Sequence, residues 1–188
     1  MKLLSLCRTA TTLFDLWFKK WILGIRDIIF SPYLHIGKDV SIELDKKAFL
    51  KIGKHVGLRN HVYISVRDGA RVILEDNVFI NNACNIVSHN HIQIGKGSKL
   101  GPNVLVFDHD YNYHVSDGLK NKDYLVGDIV IGNNCWIGAG SIILRNSEIG
   151  DNSVVAAGSV IKGKYPPNSI IVQKRVSNVF SVSLDHEQ

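Results

Sequence analysis

From Ile131 onward an aliphatic residue returns at every sixth position. Ile131, Ile137, Ile143, Ile149, Val155 and Ile161 open the hexads IGNNCW, IGAGSI, ILRNSE, IGDNSV, VAAGSV and IKGKYP. The same phase runs upstream in shorter stretches: Ile36 and Ile42; Ile52, Leu58 and Ile64; Leu74, Ile80 and Ile86; Ile94, Leu100 and Val106. A period of six fits neither an α-helix, at 3.6, nor a half-buried strand, at 2. It predicts a coil with three short flat sides, each sending one aliphatic side chain toward the axis, with small or turn-forming residues at the corners. Gly37, Gly53, Gly95, Gly132 and Gly150 follow an opening Ile, and Asn or Asp often comes two or three places later. Those residues tolerate tight or left-handed backbone. Stacked coils pair as parallel strands ~4.8 Å apart, so each ladder is satisfied by its neighbours. About six or seven coils are expected, which makes the chain a parallel β-helix.

Segments outside the hexads divide the chain. Residues 1–34 read as a helical segment, with Leu13, Trp17, Trp21, Ile25 and Ile28 near one face and Asp15, Lys19 and Lys20 breaking up the rest. Two readings stand for it. It caps the open end of the solenoid, which otherwise exposes core and strand edges; or its Trp, Phe, Lys and Arg make it an interfacial anchor. Residues 35–172 form the β-helix and 173–188 a C-terminal tail. Within the β-helix, residues 107–128, FDHDYNYHVSDGLKNKDYLVGD, interrupt the period. A long polar excursion from a rigid solenoid is where binding and catalytic groups tend to sit.

Composition narrows this little. The 188 residues suffice for one domain with a core, and 45% hydrophobic with 21% charged residues is ordinary for a soluble protein. A net charge of +5 suits a phosphorylated small molecule or an anionic membrane surface. No nucleic-acid motif or dense basic stripe accompanies it, so no nucleic-acid partner is expected. Cys7, Cys84 and Cys135 form no Cys-x-x-Cys pair, which argues against a disulfide framework or a zinc knuckle and for buried thiols in a reducing cytoplasm. The early apolar run Trp21 to Ile25 is closed by Arg26, leaving neither a signal peptide nor a ~20-residue membrane span in view.

Five stretches carry a resemblance: VFINNAC (78–84), the histidine where the excursion opens (Asp108-His109-Asp110-Tyr111-Asn112), IGNNCWIGAGSIIL (131–144), IGDNSVVAAGSVI (149–161) and the PPNS turn (166–169). Over roughly residues 36–172 the chain resembles the hexapeptide-repeat acetyltransferases. The likeness is to the sugar O-acetyltransferases among them, of the maltose and galactoside type and of polysaccharide biosynthesis. The resemblance implies a left-handed coil, against the usual right-handed crossover, and a homotrimer with active sites between subunits. It also implies acetyl-CoA as donor, with no metal. His109 is then the catalytic base: a sugar hydroxyl must lose its proton as it attacks a thioester, and a histidine titrating near ~6.5 suits that task at neutral pH. Asn81, with Asp108 and Tyr111, lies by the acceptor. Asn81 also reads as a corner residue or part of an inter-coil asparagine ladder, and Asn82 is an alternative equivalent.

On the donor side the resemblance places Trp136 along the acyl-donor arm, the Ala139 N–H at the thioester oxygen, and Ala157 and Gly158 beside the pantetheine. Lys162, Gly163 and Lys164 stand where the family has Thr-Lys-Asp, with Gly at the lysine position, so flanking lysines are left to reach the nucleotide phosphates as point charges. Gln173-Lys174-Arg175-Val176 replaces the terminal Gly-x-Pro-Ala; Lys174 and Arg175 read equally as substitutes or as solvated charges.

The resemblance implies a sugar, nucleotide sugar or polysaccharide as acceptor. The DHDYN entrance looks more like enzymes of capsule, exopolysaccharide or O-antigen assembly, which implies a cytoplasmic protein, peripheral at the inner membrane face. Amino-sugar N-acyl transfer and serine acetylation are neighbouring readings. So is a zinc hydratase resembling the γ-class carbonic anhydrases, with His109 and His114 separated by four residues and His89 or His91 one coil earlier. A non-catalytic binding solenoid is the remaining one.

Overall fold

The computed structural model describes residues 2–21, 27–117 and 119–174. The chain winds into a left-handed parallel β-helix of about six turns. The hexad-opening residues become its ladders. Ile36, Leu58, Ile80, Leu100, Ile137, Val155 and Ile171 stack in register on one face. Ile42, Ile64, Ile86, Val106, Ile143 and Ile161 stack on the next. The remaining face carries Ile28, Leu50, Val72, Ile92 and Ile129, with Ile52, Leu74, Ile94 and Ile131 one pleat on. All of these are buried, so one aliphatic core runs the length of the prism. We call the face of Ile28 the first, that of Ile36 the second and that of Ile42 the third, in chain order.

The edges explain the polar half of the hexad. Three places after the openers of the first and second faces the backbone turns left-handed, at Asn77, Asn103, Asn134 and Asn152 among others (φ 53° to 60°). Asn bears that conformation better than most side chains. Two places after the opener a different device operates. The side-chain oxygens of Asn60, Asp76, Asn82, Asn133 and Asp151 accept the backbone N–H of Lys38, Lys54, Asn60, Lys96 and Asn133 on the preceding coil. Edge N–H groups that the strand ladders leave over are thus paired between coils. Asn82 belongs to this ladder. Cys84 and Cys135 fill edge positions as buried, unbridged thiols, and burial pushes both thiol pKa values up.

At the N-terminus an α-helix, α1 (Lys2–Trp21), lies against the first coil. Leu16 is fully buried and Leu13 packs on the core. The Thr9 hydroxyl accepts the Ile36 N–H at 3.3 Å, and the Lys19 and Lys20 ammonium groups donate to the carbonyls of Ile42 (2.7 Å) and Ile28 (2.8 Å). The helix therefore covers open core and occupies first-coil edge groups that no preceding coil could pair. Ile28, expected on the helix face, is instead in a strand, Ile28–Phe30, paired with Phe49–Ile52. Two β-branched residues at 28 and 29 suit a pleated surface, and the neighbouring coil outweighs helical spacing. Ile25 lies outside the described residues. Among them, no helix is long and apolar enough to cross a membrane.

Candidate active site

Where the third face ends at Phe107, the chain leaves the coil and returns to the first face at Ile129. The exit and return strands, His109–Tyr111 and Tyr124–Val126, pair antiparallel as the stem of a hairpin. Asp108 is the hinge. Its side chain, expected beside the acceptor, is completely buried and faces inward. One oxygen accepts the His89 N–H (2.7 Å) and contacts His109 Nδ1 (3.4 Å); the other accepts from the Ser88 hydroxyl (2.6 Å) and the Asn90 N–H (2.9 Å). Its carbonyl accepts the Gly127 N–H at 2.9 Å, closing the neck of the excursion. Burial alone would raise the Asp108 carboxyl, but the bonds from His109, His89, Ser88 and Asn90 together hold it below the ordinary carboxylate value. A buried anion with four donors is a fixed, ionised anchor.

His109 therefore has its Nδ1 turned to a carboxylate. Such a partner sets the tautomer, with the proton on Nδ1 and a lone pair on Nε2. The ring is held on its flanks too. His89, from the preceding coil, lies against it with centroids 3.9 Å apart, and Tyr124 meets it edge-on at 5.3 Å. Tyr124 also contacts His89 (4.3 Å) and Tyr111 (5.0 Å). Burial lowers the His89 pKa, His109 lowers it further and Asp108 pulls it the other way. Tyr111 is exposed at the hairpin surface beside this group. Asp110 is tied down to the solenoid by Arg145 Nε at 2.6 Å.

The remaining expected residues lie elsewhere. Asn81, Ala139, Ala157 and Gly158 all fall on the edge between the second and third faces, and Trp136 is an outward residue of the adjoining second-face strand, 58% exposed. Asn81 Oδ1 accepts the Asn82 N–H at 2.8 Å, an edge contact within its own turn. This edge is narrow: a Cβ on Gly101 would lie 2.7 Å from Ala139 N, and one on Gly138 2.4 Å from Ala157 N. No side chain fits at those two glycines.

His109, by contrast, leaves the edge between the third and first faces, as do Arg145 and the Lys162–Lys164 segment. Within one chain, then, His109 and the Asn81–Trp136–Ala139–Ala157 group occupy different edges of a triangular prism. Gly163, standing where the resemblance expects lysine, has φ +108°, where side chains are strained, and it marks a register shift in the last pairing. Lys164 is ion-paired with Glu148 at 2.7 Å, and Lys162 is exposed. Gln173, from the divergent terminal motif, brackets the outer edge strand: its side chain accepts the Val160 N–H and donates to the Val160 carbonyl. Lys174 is exposed; Arg175 and the rest of the tail lie outside the described residues.

The residues that could have made a zinc site do not converge. His89 and His109 lie ring against ring, His114 packs on Tyr113 out in the hairpin, and His91 Nε2 is buried without a partner. Among the described residues no group of three His, Cys, Asp or Glu could hold a metal ion. Sequence reasoning missed Ser88, Asn90, Tyr124 and Arg145, and read His89 only as a metal ligand. Its one usable signal was spacing, since His89 lies 20 residues before His109, about one coil.

Residues 128–163 match the family model described as bacterial transferase hexapeptide (six repeats). The galactoside O-acetyltransferase of Escherichia coli K12 is 33% identical over 129 residues, covering 68% of this chain and 61% of that protein. WbbJ of the same organism, provisionally named a lipopolysaccharide biosynthesis O-acetyl transferase, is 28% identical over 108 residues, covering 53% and 55%. The chain thus spans less than two thirds of the length of these relatives. The N-acyltransferase AntD of Bacillus cereus, solved with a dTDP-amino sugar and coenzyme A, superposes with a TM-score of 0.63 at 17% identity, over 82% of this chain and 86% of that one. That last likeness is one of fold.

Proposed function

The chain belongs to the hexapeptide-repeat transferase superfamily, and from that premise we propose that it is an acyl-CoA-dependent O-acetyltransferase that acetylates a sugar hydroxyl, with acetyl-CoA as donor. The observation that carries this reading is the buried Asp108 behind His109. A base needs a free lone pair, a fixed tautomer and an orientation that survives solvent, and Asp108 supplies the last two from inside the solenoid. His109 Nε2 takes the proton of the acceptor hydroxyl as its oxygen attacks the thioester carbonyl, and Asp108 stabilises the imidazolium that forms. Collapse of the tetrahedral intermediate breaks the C–S bond, and the imidazolium returns its proton to the departing CoA sulfur. Asp108 is thus a positioning residue, not an acceptor contact. Tyr111 lies on the acceptor side, and Asn81 orients the hydroxyl from the opposite edge.

Acetyl-CoA supplies an activated thioester carbonyl. Exposed Trp136 lies along its arm, and the narrow Ala139–Ala157–Gly158 edge lets the arm run close to backbone. The Ala139 N–H donates to the oxygen on which charge develops. Lys162 is the nearer substitute for the missing lysine at 163, because Lys164 is engaged by Glu148.

His109 and the donor residues lie on different edges of one chain, and a trimer brings one subunit's His109 against the donor edge of the next. We therefore assign the site to a homotrimer. The name of WbbJ and the DHDYN entrance favour an envelope polysaccharide or its precursor as acceptor, acetylated in the cytoplasm at the inner membrane face. Thiol release from acetyl-CoA, screened against sugars, nucleotide sugars and oligosaccharides, tests the reading. Acceptor-dependent release that His109→Ala abolishes supports it. No release with any acceptor, together with no saturable CoA binding, sinks it.

A further inference from the structure

The basic residues, scattered as they are, do not balance evenly along the chain. Residues 1–26 contain five Lys and Arg against one acid, so this segment holds four of the five positive charges in the chain's net excess. It also contains two of the three tryptophans. On α1, Phe14, Trp17, Phe18 and Trp21 recur at helical spacing and share a face. They are 64%, 46%, 38% and 67% exposed. A helix on a water-soluble domain ordinarily turns such residues to the core, but here Leu13 and Leu16 make that contact. Lys19 and Lys20 then fix the helix azimuth through the Ile42 and Ile28 carbonyls. The aromatic face is held outward by packing and hydrogen bonds on another side of the helix.

We infer that the Phe14–Trp17–Phe18–Trp21 face is a docking surface for an anionic lipid bilayer, on which α1 lies flat. Trp and Phe partition to the boundary between headgroups and acyl chains, and a basic excess is drawn to anionic headgroups. A 20-residue helix is about 30 Å long, and this one is not apolar enough to cross. A second copy of the chain fits less well, because pairing two such segments would bring like charges together. This surface lies outside the proposed active site and does not depend on the transferase reading.

The test uses the full chain with vesicles of phosphatidylcholine alone and of phosphatidylcholine with phosphatidylglycerol at three to one. The parent should co-sediment with the anionic vesicles, with a blue shift in tryptophan emission. It should bind the neutral vesicles weakly and lose affinity several-fold on going from about 0.05 to 0.5 M salt. W17A/W21A should bind the anionic vesicles about tenfold less while keeping the parent's circular dichroism and melting curve. Thiol release with a soluble acceptor should be equal in parent and variant; its absence from both would count against the transferase reading and leave the docking result standing. The inference is overturned if the parent does not bind anionic vesicles, if neutral vesicles bind equally well, or if W17A/W21A binds undiminished. A fall in oligomeric mass in W17A/W21A, with no vesicle binding by the parent, would assign the face to a second copy instead.

Discussion

The uninterrupted coils after Ile129 and the excursion between Phe107 and Ile129 are built on opposite terms. In the coils every strand has a parallel neighbour, the inward side chains are mostly aliphatic residues stacked from coil to coil, and Asn or Asp oxygens bind the edges together. The excursion has a two-strand stem and a few ties to the solenoid, among them Asp108 at the neck, Arg145 on Asp110 and Asn90 on Asp128; Asn112 on Asp123 is a bond within the hairpin itself. On the proposed function, placement comes from the first region and chemistry from the second. The join between them is centred on one buried carboxylate, Asp108.

Substitutions should separate these two contributions. The largest effect is expected at His109. His109→Ala should lower acetyl transfer about 10³-fold while the protein stays folded with a modestly lower melting temperature, because it removes the base and one of the donors to Asp108 but leaves the coils intact. Near-full turnover in that variant would end the assignment of chemistry to the excursion. Next comes Ile143→Ala, buried in the third-face ladder. It should cost about 3 kcal/mol in denaturant unfolding, and turnover per folded molecule should stay the same. A loss of turnover without a loss of stability would show the coils to be more than a scaffold.

Asp108→Asn crosses the boundary and should touch both regions. A carboxamide can accept from backbone N–H groups but cannot stabilise an imidazolium, so about a 10²-fold loss in kcat should come with about 2 kcal/mol of lost stability. The stability part also depends on pH. With the folded carboxyl held below its ordinary 3.8, Asp108 contributes fully above that value and loses its contribution as pH falls through the folded one. The variant's unfolding curve should lack this acid-side decline.

Arg145→Met should matter less. The ion pair with Asp110 is partly in water, so about 0.5 kcal/mol and a few-fold rise in acceptor KM are expected, read in steady-state kinetics. The smallest effect is at His89. Its folded pKa is lowered by burial and by His109, so below the ordinary 6.5 the unfolded chain holds the extra proton. The resulting stability is full above 6.5 and falls as pH drops through it. His89→Phe keeps a ring against His109 and should flatten that slope between pH 7 and 5 in thermal melts.

Much of this was legible in the hexads. The openers Ile36 to Ile161 name about half of the core, because an inward position on a three-sided coil repeats with the chain's own local period; Leu50, Val72, Ile92 and Ile129 lie off that period. The excursion was legible as a break in that period, and His109 as the histidine at its entrance. Ile28 was misread because three strand residues next to a helix show too short a pattern to reveal the period. Asp108 was misread for another reason. An acidic residue beside a histidine in a polar loop suggests a surface, and its burial depends on Ser88, His89 and Asn90 one coil earlier.

The sequence by itself therefore determined the coil, its core and where the coil is interrupted, since all three follow from side chains spaced at fixed local intervals. Only the tertiary structure decided which way Asp108 faces, what flanks His109, and that His109 and Ala139 lie on different edges of one prism. Those are relations between coils, set by stacking residues ~20 or more positions apart, and no local period encodes them.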